Sequence, residues 1–350
     1  MTQSPDSSPV GAGRVHPVAV DLALTGPLAE AGRRTAELAD LGADGVFTFE
    51  GAHDVFAPLV LAAAAAPVHV YPGVAIALPR SPMHLANIAW DLQELSGGRF
   101  LLGLGSQIRA HIVKRFSAEF DPPAPRLREL VLAVKAILHA WQTGDDLDFR
   151  GEYYQHTLMT PTFDPGPNPH GVPPVILAAV GPVMTRLAGE VADGAILHPF
   201  HTSRFVRERW LPLIHAGAER AGRPAGDHHL LAQIILVTGR DATEMDLAAE
   251  RARGLLAFYA STPAYRPPLD LEGWGDIQPE LNRLSKAQRW ADMPAVIDDT
   301  VLDAFTVRAE PSAVGGVARE RLGPAFDRVA LSIPGPIDDE VLGAVIDGFH

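Results

Sequence analysis

The sequence predicts a single (β/α)8 barrel, and three observations carry the prediction. Short β-branched or apolar runs alternate with longer helix-patterned segments from residue 16 onward, the order of parallel strands joined by crossover helices. Eight such runs occur, the number a closed barrel needs. The 350 residues could hold two average domains, but one barrel of about 250 residues with insertions accounts for them as well. A doubly wound open sheet is the competing architecture.

Residues 1–14, MTQSPDSSPVGAGR, are polar and rich in Pro, Ser and Gly. They lack the basic start and apolar centre of a signal peptide. They read as a disordered tail before one domain at 15–350, and a cytoplasmic protein is expected. The strands are expected at 16–22, 45–49, 68–77, 99–104, 174–178, 194–198, 231–238 and 326–333. Turns of Gly and Asp precede several of them: Leu41-Gly42-Ala43-Asp44, Ser96-Gly97-Gly98 and Val191-Ala192-Asp193-Gly194. Glycine after a helix suits the left-handed C-cap. The longest apolar window, Phe56 to Ala66, is too short to cross a bilayer and ends at Pro67.

Two segments exceed a minimal barrel and read as insertions. One, at 145–173 after the fourth strand, is rich in Pro, Gly and aromatic residues. The other, at about 261–300 between the seventh and eighth strands, includes Trp274 and Trp290 and could form a lid or an oligomer contact. Met83 and Trp90 read as core, and Arg126, Arg128 and Glu129 as a solvated helix face.

The net charge of −13 and the scattered Lys and Arg residues argue against nucleic acid as a partner. With no cysteine there is no disulfide, thiolate zinc site or cysteine nucleophile.

The run SGGRFLLGLGSQ at 96–107 resembles a dinucleotide loop until tested. A Rossmann fingerprint needs a third glycine and, about 20 residues on, an acidic strand end. Ile108 occupies the third-glycine position, and Asp121-Pro122-Pro123-Ala124-Pro125 is a loop. The run therefore reads as a turn, a barrel strand and its C-terminal mouth, where small residues let a flat ligand approach the backbone. A tight turn without a ligand is the alternative. Ala178 to Gly181 leaves a strand and enters a helix with Pro182 first. The partial positive charge there suits a phosphate, an ordinary βα turn being the alternative.

His53 with Asp54, His111, and His198 with His201 fall at expected strand ends on one barrel face. A metal hydrolase would use such groups as ligands. No His-x-His follows the first strand, and Pro199 interrupts the 198–201 pair. No metal site is therefore expected, although a metal-dependent hydrolase stays as an alternative.

The stretch Trp90-Asp91-Leu92-Gln93-Glu94-Leu95-Ser96-Gly97-Gly98-Arg99-Phe100, followed by Leu102-Gly103-Leu104-Gly105, resembles the luciferase-like monooxygenase superfamily. Ala178 to Pro182 and Leu187 to Gly194 are similar to its fifth strand, phosphate turn and sixth strand. Ala77 to Pro82, Gly105-Ser106-Gln107 and His198-Pro199-Phe200 look most like a branch that uses the deazaflavin coenzyme F420. The resemblance implies a barrel with the deazaflavin at the strands' C-terminal ends, its C5 exchanging a hydride with a small substrate. It also implies a non-proline cis peptide behind the ring, expected at Ala75-Ile76. Gly105 and Ser106 would lie at the fourth-strand mouth, Ala179, Val180, Gly181, Pro182 and Val183 at the phosphate, His198 beside the cofactor, and Asp54 near the ring.

Sugar-phosphate dehydrogenases of the superfamily carry a glutamate where this chain has Ser106. The general acid or base is accordingly sought among His53, Asp54 and His111, with Gln107 and Arg109 as candidate substrate contacts. A surface salt bridge is the other reading of Arg109. A homodimer without nucleic-acid or membrane partners is expected. The remaining alternatives are a flavin mononucleotide (FMN)-dependent monooxygenase on the same fold and a deazaflavin-binding protein without catalysis.

Overall fold

The computed structural model describes residues 18–224 and 226–350. The expected tail and the first two residues of the expected first strand lie outside them. The chain runs β1 (Ala19–Ala23), α1 (Ala31–Asp40), β2 (Gly45–Thr48), α2 (Ala57–Ala65), β3 (His69–Pro72), β4 (Ala75–Ile76), α3 (Pro82–Leu95) and β5 (Leu102–Gly105). After α4 (Arg109–Lys114) and α5 (Pro123–Thr143) come a small hairpin, β6 (Phe149–Arg150) and β7 (Gln155–His156), then β8 (Val175–Ala179), α6 (Pro182–Val191) and β9 (Gly194–Leu197). The short α7 (Ser203–Phe205) passes through a π-helical turn into α8 (Leu211–Arg220). Next are β10 (His229–Val237), α9 (Ala242–Ala260), α10 (Arg266–Glu272), α11 (Ile277–Lys286), α12 (Asp299–Phe305), β11 (Thr306–Arg308), α13 (Val314–Leu322), β12 (Arg328–Ser332) and α14 (Asp339–Asp347).

The strands pair in parallel in the order β3-β2-β1-β12-β10-β9-β8-β5-β4. A parallel bridge between Val70 and Phe100 joins the β3 edge to the chain leading into β5. The sheet thus closes into the expected (β/α)8 barrel rather than a doubly wound sheet. The expected third strand is broken at Gly73–Val74, so β3 pairs with β2 while β4 pairs with β5.

Strand periodicity sorts the interior into layers, since alternate residues face inward. Phe47, Tyr71, Ile176, Ile196, Leu231 and Ala330 form one buried cluster inside the barrel. Two residues towards the strands' N-termini, Asp21 is fully buried and paired with Arg328, its Oδ2 accepting from Arg328 Nε at 2.8 Å and from the Tyr71 hydroxyl at 2.8 Å. Gly45 makes room for the pair, because a Cβ there would come within 2.4 Å of Asp21 Oδ1. Two residues towards the C-termini stand Gly73, Ala178, His198, Gln233 and Ser332, all lining open space.

The Asp residues before three strands each accept a backbone N–H from a neighbouring strand. Asp44 takes Val20 (2.8 Å), Asp193 takes Val175 (3.0 Å) and Asp327 takes Leu230 (2.8 Å). Gly42 (φ 95°) and Gly97 (φ 65°) adopt the left-handed region expected after α1 and α3. Gly194 instead begins β9, where a Cβ would lie 2.2 Å from the His229 carbonyl oxygen.

Neither insertion is plain loop. Within the first, the β6–β7 hairpin is held by Glu129, whose carboxylate accepts the N–H groups of Glu152, Tyr153 and Tyr154. Glu129 therefore does more than solvate its helix. The second is mostly helical and builds a separate apolar cluster against α9 around Leu256, Leu269, Leu281 and Phe305. Among the described residues, no helix is long and apolar enough to cross a membrane.

Candidate active site

A cavity of about 850 Å³ opens at the C-terminal ends of the barrel strands. Its floor is largely backbone. Gly73, Val74 and Ile76 come from the break between β3 and β4, and Gly105 and Ser106 from the end of β5. A Cβ on Gly105 would approach Val74 Cγ2 to 2.7 Å, so glycine keeps this floor flat. The non-proline cis bond is Gly73–Val74. This corrects the expectation of Ala75-Ile76, whose backbone is committed to the β5 ladder through the pairs Ala75–Leu104 and Ile76–Gly105.

The break is clamped from outside the ladder. Glu50 accepts the Ile76 N–H at 2.6 Å and both guanidinium nitrogens of Arg80, at 2.7 and 2.9 Å. Arg80 also donates to the Ile76 carbonyl at 2.7 Å and lies over the Phe56 ring. Sequence reasoning missed Glu50; opposite charges at the ends of neighbouring strands were the available signal.

On a second side, β8 leads through Val180 and Gly181 into α6. Pro182 has no N–H, and the Thr185 N–H is the first to reach a carbonyl, that of Gly181. The Val183 and Met184 amides are thus unpaired within the first turn. A Cβ on Gly181 would meet nothing within 4 Å, so the space before this turn is open.

On a third side, His198 stacks on Tyr265 with centroids 4.5 Å apart and meets Tyr259 edge-on at 4.7 Å. Tyr265, Thr262 and Ala264 bring the second insertion to the cavity wall. His198 Nδ1 accepts the Phe200 N–H at 3.1 Å, which leaves the ring proton on Nε2. Burial lowers its pKa to about 3.

Behind this wall His201 is buried, with Nε2 3.1 Å from the Gln233 carbonyl and Nδ1 without a partner among the described residues. Gln233 in turn donates to the Gly73 carbonyl at 3.3 Å. Burial first, then the Arg321 charge, lowers the His201 pKa to about 3. The unfolded chain therefore binds a proton near pH 6.5 that the fold refuses, so His201 contributes stability above that pH and loses it as pH falls towards about 3. Lowering pH from about 7 to about 5 is expected to cost roughly 2 kcal/mol through this group. Urea midpoints at the two pH values check it. A midpoint shift as large in His201→Gln as in the parent would remove His201 as its source.

Of the expected cofactor residues, Ile76, Gly105, Ser106, Val180, Gly181 and His198 line the cavity, as does the expected substrate contact Gln107. Gln107 has a left-handed backbone, φ 57°. Ala75 and Ala179 are buried behind the wall, and Pro182 and Val183 are exposed at the start of α6. The expected acid–base group is not brought together. His53 and His111 are exposed, and Asp54 caps α2 by accepting the Phe56 and Ala57 N–H groups at 2.8 and 2.9 Å. None of the three lines the cavity. Arg109 pairs at the surface with Asp121 and lies over Phe120. Among the described residues no three His, Asp or Glu side chains converge as a metal site would require.

The family profile described as luciferase-like monooxygenase matches residues 10–322. The chain belongs to the luciferase-like monooxygenase family. Within that family it is 43% identical over 332 residues to an uncharacterized protein of Mycobacterium tuberculosis, covering 95% of this chain and 97% of that one. It is 30% identical over 198 residues to F420-dependent glucose-6-phosphate dehydrogenase 1 of Rhodococcus jostii, covering 55% and 56%. The solved coenzyme F420-dependent tetrahydromethanopterin reductase of Methanopyrus kandleri superposes with a TM-score of 0.78 at 21% identity, over 95% of this chain and 97% of that one. The family's oxidoreductase chemistry and barrel are thereby set.

Proposed function

We propose that this luciferase-like oxidoreductase uses coenzyme F420 and exchanges a hydride between the deazaflavin C5 and a small organic substrate. One observation carries the reading: the cavity joins a flat glycine floor to a helix N-terminus with free amides. Gly73, Val74, Ile76, Gly105 and Ser106 would lie along the ring. Val180, Gly181 and the amides of Val183 and Met184 would receive the phosphate. The F420-dependent relatives support the same coenzyme.

Bound there, the coenzyme supplies a carbon that gives or takes a hydride. The protein's share is placement and exclusion of water. Glu50 and Arg80 hold the floor, while Tyr259, Tyr265 and Leu255 close the far wall. Restricting the reactants to one geometry removes entropy from the barrier in advance.

Titration of the purified chain with F420 and with FMN tests the assignment through fluorescence quenching. F420 is expected to bind in the micromolar range, and FMN at least about tenfold more weakly, a gap of about 1.4 kcal/mol. The reverse order would assign the cavity to a flavin and the protein to the monooxygenase reading. Binding of neither would overturn both.

A further inference from the structure

The part of the cavity beyond the floor is unusual in its charge. Among its lining residues only Glu50 carries a formal charge, and Arg80 neutralises it through two hydrogen bonds. Among the described residues no lysine or arginine lines the space. A carboxylate or phosphate entering this wall would lose hydration at a cost of several kcal/mol with no cation to compensate. The wall is instead apolar and aromatic, built from Leu255, Tyr259, Tyr265 and Phe49. The His198 ring stacks on Tyr265 while Tyr259 meets Tyr265 edge-on, a mixed arrangement of faces and edges that suits a further planar group.

One polar group of this wall is His198, whose two ring nitrogens have separate roles. Because His198 Nδ1 is occupied by the Phe200 amide, its Nε2–H is a donor, and among the described residues no protein acceptor meets it. The ring stays neutral at ordinary pH, so it offers a hydrogen bond without a charge. Such a donor suits a carbonyl or hydroxyl oxygen.

Resting on the oxidoreductase reading above, we propose that the cavity selects an uncharged, apolar carbonyl compound or the matching alcohol, held against Tyr259 and Tyr265 with its oxygen bonded to His198 Nε2–H. In the reducing direction a hydride passes from the reduced coenzyme to the carbonyl carbon. The C=O π pair would move onto oxygen, a proton from water at the open mouth would complete the alcohol, and the ring N–H proton that the coenzyme gives up with its hydride would return to that water. The coenzyme is oxidised by two electrons and the carbonyl reduced by two. His198 remains neutral throughout, and its hydrogen bond strengthens as charge grows on the oxygen.

The test measures affinities of acetophenone, ethylbenzene and benzoate for the full chain by saturation-transfer NMR, with and without F420. Acetophenone is expected to bind at least about tenfold more tightly than benzoate. His198→Asn keeps an oxygen to accept the Phe200 N–H and deletes the Nε2–H. It is expected to weaken acetophenone about tenfold, to the level of ethylbenzene, while leaving ethylbenzene unchanged. Tyr265→Ala should weaken both neutral probes. Benzoate binding as well as acetophenone, no binding of acetophenone, or a His198→Asn effect that is absent or equal on both neutral probes would overturn the proposal. Failure of F420 to bind leaves these readings intact in its absence, so the two proposals fail separately.

Discussion

Arg328→Met is expected to cost about 3–5 kcal/mol of stability, the usual consequence of removing one partner from a buried ion pair. Its partner Asp21 is fully buried in the lower barrel, where the carboxylate accepts from Arg328 Nε and Nη2 and from the Tyr71 hydroxyl. Burial opposes the Arg328 charge, yet the adjacent Asp21 outweighs it and raises the arginine's pKa above its usual value. Without the guanidinium, the carboxylate remains desolvated with one hydroxyl donor. The double variant Asp21→Asn/Arg328→Met removes both charges and retains an acceptor for Tyr71. It should recover at least half of the lost stability, because the penalty lies in the unpaired charge. Urea denaturation of the three proteins decides this. A single variant as stable as the parent would show that the pair contributes nothing to holding the barrel's lower layer.

That pair was invisible in the sequence, and the reason separates what a sequence reveals from what it conceals. Features set by backbone conformation were legible. Gly42 and Gly97 ended their helices as expected, and the Asp44 and Asp193 turns preceded strands. Gly105 and Gly181 both line the cavity, the first because a Cβ there would strike Val74 and the second beside the open space before α6. Features set by side-chain direction were not legible. His53, Asp54 and His111 follow the right strands, but residues beyond a strand's last pleat no longer alternate between inside and outside. Asp54 consequently turns to cap α2, and His111 sits on the outer face of α4. β11 was missed because Thr306–Arg308 is only three residues long and directly follows α12. Its pairing with β10 (Ile235–Thr306, Leu236–Val307) arises from tertiary contact rather than a local pattern.

Glu50→Ala is expected to have the second large effect, and on ligand affinity as well as stability. The carboxylate is 7% exposed and does two things at once: it neutralises Arg80 and it fixes the Ile76 N–H beside the cavity floor. These functions separate by substitution. Glu50→Gln can still accept the Ile76 N–H through its amide oxygen but loses the ion pair, whereas Glu50→Ala loses both. Arg80→Met removes the charge partner and leaves the acceptor. All three should lower the urea midpoint, at the lower end of about 3–5 kcal/mol because Arg80 is 20% exposed. F420 affinity, in contrast, should fall at least about tenfold in Glu50→Ala and much less in Glu50→Gln. If affinity simply followed stability across the three variants, Glu50 would support the fold without positioning the floor. If Glu50→Ala bound F420 as tightly as the parent, the β4 ladder alone would suffice to set the Ile76 backbone. The expected order follows from one hydrogen bond, since only Glu50→Ala leaves the Ile76 N–H without an acceptor at the edge of the cavity.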